Sequence, residues 1–515
     1  MDRNILKWNF IFQYGYVITN ILNALILLPI YLHKIDSSTL GVWLATGNIL
    51  AWMTLADPGV GDVLQQKIAQ LRGQNQPEEI NLTIGSGIVT SLIILLLAIV
   101  AGIVFFFLIG VIINKDVSQY EGLQVALLIS IIATGMSLVS FSLSGINQGL
   151  QNSAQVAIGS LSGNFIFLIS NVVLLYLGYG VISIAFANLC RAFYINIYNY
   201  SALKKQLKRE HLKIIFQLEH LKRFVKIFSF TSFSRIIGGF SASLDMIVLA
   251  RFVAPSMITI FEINKRPIQM TQSLIGRHSV ALMPLISHAN GKGNVAEIKT
   301  LIYTQFKYYS YAAIFIGFCF ITNYENLITI WTGVGKYAGN SVVFLLVGSF
   351  FFTLIGYFMS NMGYALGDIK MNSFITIIKG VVSGLLYYIA SKHFGLIGLL
   401  VVMLFVSIFV DFLLFSYRLN KLGFLNGIFI GAILKKWLLI IPLSAIMSFG
   451  MTYGFNLIIP GGMRIVSLLL NGISFTMVFI ILLLIIDKDL KSTIQNKFSS
   501  IFSKRFDKQE LSNNP

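Results

Sequence analysis

Cationic side chains set inside apolar stretches are the residues of this sequence best placed to do chemistry. Between Met257 and Ser287 the chain carries Glu262, Lys265, Arg266, Gln269, Gln272, Arg277 and His278 around Pro267. Spacings of 3, 4, 3 and 4 set Glu262, Lys265, Gln269, Gln272 and Gly276 on one helical stripe, with Arg266 and Arg277 beside it. Arg191 and Arg235 reach a similar depth in neighbouring stretches, and further polar stripes run through Gln13, Tyr16, Asn20 and Asn23, through Ser234, Gly238, Ser241 and Asp245, and through Asn372, Thr376, Lys379 and Ser383. A guanidinium fork grips phosphate bidentately, Lys adds a point charge, and amides meet hydroxyls. The expected chemistry is binding of an anionic headgroup, a diphosphate bearing polar sugars. Arg191, Arg235, Lys265, Arg266 and Arg277 are its expected contacts. Asp245 and Glu262 would tune those cations or exchange protons, and Gln13, Asn20, Asn23, Gln269 and Gln272 would line the cavity.

Each assignment has a plainer competitor. A cation at the bilayer centre costs about 2.5–3.5 kcal/mol, so four facing lipid would cost on the order of 10 kcal/mol. A water-filled cavity avoids that cost, and so does an internal pair of Lys265, Arg266 or Arg235 with Glu262 or Asp245. Arg277, Lys307 and Lys379 sit near a membrane edge, where snorkelling alone would serve. Asp57, Pro58 and Gly59 read as a hinge or gate, with Pro267 as a second one.

The elements that must position these groups are membrane helices. The chain has 515 residues, 56% apolar and 11% charged, less than half the charge of a soluble domain. Breaking it at polar and Gly/Pro clusters gives about fourteen apolar stretches of spanning length: 8–31, 39–63, 84–113, 123–146, 156–177, 181–203, 224–254, 257–287, 301–322, 341–365, 374–392, 394–416, 437–457 and 465–487. The first has no small-residue cleavage site and reads as a spanning helix. Segments on one side, counting the connector through Lys226, hold 25 Lys and Arg, against five on the other (Lys34, Lys115, Lys336, Lys392 and Arg464). That asymmetry predicts both termini in the cytoplasm. It also accounts for the net charge of +18 without nucleic acid.

The sequence repeats weakly at an offset of 218. Ser38, Leu64, Ile68, Gly73, Glu79 and Ile80 meet Ser256, Leu282, Ile286, Gly291, Glu297 and Ile298, and Ser142, Gly145 and Gly149 meet Ser360, Gly363 and Gly367. Two parallel six-helix lobes follow, with a binding site expected between them near mid-membrane. The expected fold is all-α: an N-lobe (1–203), a basic connector (204–223), a C-lobe (224–416), two appended helices (417–487) and a basic tail (488–515). The connector region 204–226 reads as a solvated positive loop that can meet anionic lipid headgroups, with His211 and His220 solvated.

No nucleophile with a plausible base, metal-ligand spacing or Gly-rich phosphate loop is visible. Cys190 and Cys319 lie in apolar stretches and suggest no disulfide framework. No cofactor is expected, and neither is enzymatic activity; a polysaccharide polymerase or acyltransferase would show a long loop or an intramembrane His/Asp set.

Three segments carry a family resemblance: Leu28-Pro29-Ile30-Tyr31-Leu32, Gly41-Val42-Trp43 and Leu55-Ala56-Asp57-Pro58-Gly59-Val60-Gly61. They resemble the opening of Wzx-type polysaccharide flippases of the multidrug/oligosaccharidyl-lipid/polysaccharide (MOP) superfamily. Asp245 to Arg251 followed by Pro284-Leu285-Ile286-Ser287 is similar to the start of their second lobe. The resemblance implies a bacterial inner-membrane protein moving undecaprenyl-diphosphate-linked oligosaccharides between leaflets by alternating access. It further implies H+ or Na+ as coupling ion, and a polysaccharide polymerase as functional partner for O-antigen, capsule or other surface glycan. Fourteen spans keep the lipid II flippase branch open, although the first span carries no Arg or Asp in its interior. A multidrug antiporter of the same superfamily binds organic cations, which a basic cavity repels.

Overall fold

A computed structural model describes residues 3–55, 60–222, 224, 244–291, 294–425, 427–458 and 463–492. The regular elements among them are all helical: α1 (Arg3–Lys34), α2 (Ser37–Leu55), α3 (Val60–Gly73), α4 (Pro77–Ile113), α5 (Leu123–Gly149), α6 (Ser153–Tyr176), α7 (Gly180–Arg209), α8 (244–252), α9 (Pro255–Gly291), α10 (Val295–Thr332), α11 (Asn340–Ala365), α12 (Ile369–Val406), a π-helical stretch (Ser407–Leu414), α13 (Phe415–Lys421), α14 (Gly427–Ile458) and α15 (Arg464–Ile486). This is an all-α integral membrane fold. Nine helical stretches among the described residues are long and apolar enough to cross a bilayer, and Ile18–Lys34 is a shorter apolar one.

One of the nine runs 52 residues, from Lys370 to Lys421. At 1.5 Å per residue that is about 78 Å, more than twice the hydrocarbon thickness. Gly395, at φ 56°, breaks it where the sequence separates 374–392 from 394–416. Helix α9 is absent from the nine because its charges spoil its hydropathy, not its length.

Helix boundaries carry the repeat better than residue identities do. Shifted by 218, the start of α2 and the end of α3 fall on Pro255 and Gly291, the bounds of α9. Helix α4 shifted alike gives 295–331 against the observed Val295–Thr332. The crossing inside each copy is conserved in place and changed in chemistry. Gly145 of α5 lies against the Gly61 carbonyl so closely that a Cβ would collide with it. In the second copy Gly61 is matched by Ser279, whose Oγ accepts from Asn361 Nδ2 at 2.8 Å; Asn361 stands two residues before Gly363, the match of Gly145.

Lipid-facing surfaces are read directly from exposure. Leu96, Leu97, Val100, Val104, Phe107 and Val111 form an exposed apolar stripe along α4, which only an apolar solvent tolerates.

The chain divides into two compact units: residues 1–278 with 367–411, and 279–366 with 412–515. In the first, α5 packs on α3, α4 and α7, and α6 on α1 and α7. A buried cluster of Leu64, Ile68, Ile84, Ile146, Leu203 and Phe224 closes its basic end. There Arg72 donates to the Leu150 carbonyl and pairs with Glu210 at 3.0 Å. Only part of the connector is a solvated loop. Its first residues extend α7 to Arg209, and Lys213 N donates to Asn81 Oδ1 on α4 at 2.7 Å. His220 departs from expectation: it is buried, 2.9 Å from Ser86 Oγ and 3.4 Å from Glu79. Polar groups on α4 offer it a better site than the loop composition implied.

In the second unit, α10 packs on α11, α14 and α15. Phe306, Phe351 and Phe412 surround Trp437, whose Nε1 donates to Ser310 Oγ at 3.1 Å. Asp487, just past α15, is fully buried; it accepts from Tyr311 at 2.8 Å and pairs with Lys307 at 3.0 Å and Lys436 at 3.1 Å. Lys307 therefore does not snorkel. Asp487→Asn should lower stability by about 3–5 kcal/mol by stranding two cations, read as thermal unfolding in detergent. Replacing the set with Lys307→Met, Tyr311→Phe, Lys436→Met and Asp487→Leu should recover most of that loss; no loss in Asp487→Asn would show the network to be stabilising nothing.

Candidate functional site

Helix α9 brings the charged residues of the first unit together. Pro255 starts it, where a missing N–H costs nothing. Pro267 lies inside it, where the Ile263 carbonyl loses its usual donor. The charges flanking Pro267 separate into two environments.

Lys265 is turned to Asp245 of α8. The two form a buried ion pair, and Lys265 also lies 5.5 Å from the Phe261 ring centroid. Arg266, the next residue, pairs with Glu262 one turn back at 3.2 Å, yet about a third of its side chain stays exposed. Its Nε has no hydrogen-bond partner among the described residues. Arg266 opens into a cavity of about 470 Å³, lined also by Asn20 on α1 and by Gln269, Gln272, Ser273 and Arg277 on α9. From Pro255, Arg266 lies roughly 16 Å and Arg277 roughly 33 Å along the helix, so the cavity runs from mid-membrane to the basic end. Among the described residues, no acidic side chain lines it.

The cavity thus collects five of the residues singled out in the sequence: Asn20, Arg266, Gln269, Gln272 and Arg277. Lys265, Asp245 and Glu262 are not among its lining residues. Asn23 is buried in helix packing and donates to the Asn164 carbonyl of α6 at 3.2 Å. Arg191 lies on α7 opposite Gly163 of α6, half-buried and outside this cavity's lining. Arg235, Asp57, Pro58 and Gly59 lie outside the described residues, and so does the side chain of Gln13.

A second ion pair belongs to the same unit. Lys379 of α12 donates to Asp411 at 2.7 Å, and Asp411 sits in the π-helical stretch. The buried Tyr387 lies within electrostatic reach of both Asp411 and Asp245. The sequence reading took in Lys379 but passed over Asp411. The signal was present: Asp411 is the only acid in 394–416, and an intramembrane acid is a functional candidate by default.

At the charge-poor end the unit is stitched shut. Thr259 Oγ donates to the Ser37 carbonyl at 2.7 Å, and Gly41 of α2 meets the Pro255 carbonyl with no room for a Cβ. Arg251 donates to the Val111 and Ile112 carbonyls at 2.9 and 3.1 Å, and Lys115 returns a bond to the Val253 carbonyl at 3.2 Å. Both cations sit at helix C-termini, where the macrodipole favours them. Arg251 therefore serves as a helix cap.

Long membrane helices, a duplicated topology and a cationic half-buried cavity define a polytopic membrane protein with a transporter fold. Solved structures sharing that fold include an inward-facing multidrug resistance MATE family transporter of the MOP superfamily (17% identity, TM-score 0.65, covering 78% of this chain and 95% of that one). Another is the lipid II flippase MurJ in an inward closed conformation (16%, 0.66, 92% and 97%). A third is a mutant of the Vibrio cholerae MATE transporter VcmN (14%, 0.58, 83% and 99%). No curated protein matches in sequence. The family described as "Polysaccharide biosynthesis protein" matches residues 9–290, more than half of the chain. The chain belongs to this family, a flippase family of the MOP superfamily.

The tight contact at Gly41 generates a test. With Cys190 and Cys319 replaced by Ser, a Thr259→Cys reporter should resist a membrane-impermeant maleimide and become reactive when Gly41→Val is added. Equal protection in both would show that the Gly41–Pro255 contact does not hold that end closed.

Proposed function

We propose that this protein is a flippase that carries undecaprenyl-diphosphate-linked oligosaccharide repeat units across the bacterial inner membrane, from inner to outer leaflet, for surface polysaccharide synthesis. The observation that carries the reading is the cavity lined by Arg266, Arg277, Asn20, Gln269 and Gln272 with no acid in its lining among the described residues. Guanidinium groups suit a diphosphate, and amides and a serine suit sugar hydroxyls. An organic cation would meet repulsion there. The positive-inside count supports a cytoplasmic location for both termini and for the basic end of the first unit. The cavity then reaches toward the leaflet where substrate is made, and the stitched end faces outward.

Asp245 and Glu262 serve in this reading as charge partners for Lys265 and Arg266. Lys265 supports the site by holding α8 to α9 and leaves the diphosphate to the arginines. H+ or Na+ exchange at these acids, or at Asp411, would supply the coupling.

A second reading has its own support. The MurJ structure covers 92% of this chain, against 78% for the inward-facing MATE transporter, so a peptidoglycan precursor on the same lipid diphosphate is the alternative cargo.

Proteoliposomes containing defined lipid-linked diphosphates test both readings, with movement between leaflets scored by accessibility of the sugar. Arg266→Gln with Arg277→Gln should lower transfer at least about tenfold while leaving protein in the membrane, since each cation contributes a charge-assisted contact. Lys265→Ala should instead lower folded yield by stranding Asp245. Undiminished transfer in the arginine double variant overturns the site. Preference for lipid II over oligosaccharide diphosphates would select the second cargo.

A further inference from the structure

A second cavity of about 490 Å³ lies between α6 and α7, away from the transport site. Its lining includes Asn152 and Gln155 near the start of α6 and Tyr194, Tyr198, Lys205 and Arg209 on α7. On α7 the spacings of 4, 7 and 4 from Tyr194 to Arg209 keep these four side chains on one face. Tyr198 donates to Gln155 Oε1 at 2.7 Å, which ties the two helices together at the middle of the cavity.

Lys205 and Arg209 are exposed and have no acidic partner among the described residues. The nearest acid in sequence, Glu210, is engaged by Arg72 at 3.0 Å and by Gln206. The cavity therefore keeps its positive charge. Counted from Gly180, Tyr198 lies roughly 27 Å and Lys205 roughly 37 Å along α7. Those depths bracket the step from hydrocarbon to headgroups. Exposed Phe193, Ile197 and Tyr200 mark the acyl-chain level below. Past α7, exposed Ile214, Phe216 and Leu218 mark a membrane-surface segment above.

We propose that this cavity binds the phosphate of an anionic glycerophospholipid in the leaflet that the basic loops face. Arg209 and Lys205 hold the phosphate, while Tyr194, Tyr198 and Asn152 take up headgroup hydroxyls and ester oxygens. The acyl chains run down past Ile197. Such a lipid fills the α6–α7 seam in the unit that also contains the transport cavity. The inference requires a membrane location but no particular cargo.

The test uses the full-length protein in detergent, titrated with phosphatidylglycerol or phosphatidylcholine and read by native mass spectrometry for retained lipid. Phosphatidylglycerol should be retained over phosphatidylcholine, and Lys205→Gln with Arg209→Gln should weaken it about tenfold or more, two interfacial cations being removed. The control, Lys204→Gln with Lys208→Gln, removes the same charge from outside the cavity's lining and should leave retention within about twofold if the cavity and not diffuse attraction is responsible. Equal losses in the two double variants, or no selectivity between lipids, overturn the proposal. An unchanged melting temperature in lipid-free detergent confirms that the cavity variant is folded. Displacement by millimolar inorganic phosphate would assign the site to the phosphate group itself, and retention would assign it to the whole lipid; either outcome upholds an anion site. No transported substrate enters the experiment, so its failure leaves the flippase reading standing.

Discussion

A charge in hydrocarbon must be paired, hydrated or moved to an edge. Much of the charged architecture in this protein can be read as a choice among those three. Lys265 with Asp245 takes the first route in the first unit, and Lys307 and Lys436 with Asp487 take it in the second. Arg266 takes a mixed route, one contact to Glu262 and the rest to a cavity. Arg251 and Lys115 go to helix ends and satisfy carbonyls there. A buried pair contributes little net stability, since desolvation offsets most of its attraction, but losing one member is severe. These pairs therefore act on uniqueness: they fix which face of α9 meets α8 and where α15 ends against α10.

Duplication explains why one helix carries so much. The positions of the first copy that match Glu262, Lys265 and Arg266 are Leu44, Gly47 and Asn48. The scaffold was doubled, and the charges occupy one copy only. The first copy packs backbone to backbone, with Gly61 against Gly145, while the second has Ser279 in place of Gly61 and bonds it to Asn361, the match of Leu143. Polar side chains at a helix crossing still satisfy one another in lipid. Symmetric helices with asymmetric chemistry give a binding site one charged wall.

Span-by-span, the helical fold was legible because hydrophobic length and loop charge are local properties of sequence. The division between 374–392 and 394–416 is one such local reading, and Gly395, at φ 56°, breaks α12 beside it. Partnership was less legible. Nothing local says which of Lys265 and Arg266 is paired: both sit at mid-helix, one on the polar stripe and the other beside it. Only the position of Asp245 on the preceding helix sends one inward and leaves the other at the cavity. Asn20 and Asn23 show the same limit on α1, one lining the cavity and the other donating to a carbonyl of α6. His220 and Lys307 were misread for a related reason, because polar partners on distant segments had no weight in a count of loop composition.

The half-paired state of Arg266 bears on how such a cavity could serve a carrier. A fully unpaired guanidinium in low dielectric would hold a diphosphate too strongly to release it, and a fully paired one would hold nothing. Glu262 takes part of the charge, while the buried Nε has no hydrogen-bond partner among the described residues. An arriving phosphate would find a cation already oriented by its carboxylate, so little ordering entropy is lost on contact. When the phosphate leaves, Glu262 is still there to receive the charge. On the proposed reading, binding and release would differ by an exchange of partners at one guanidinium, without exposing a bare ion to hydrocarbon at any stage.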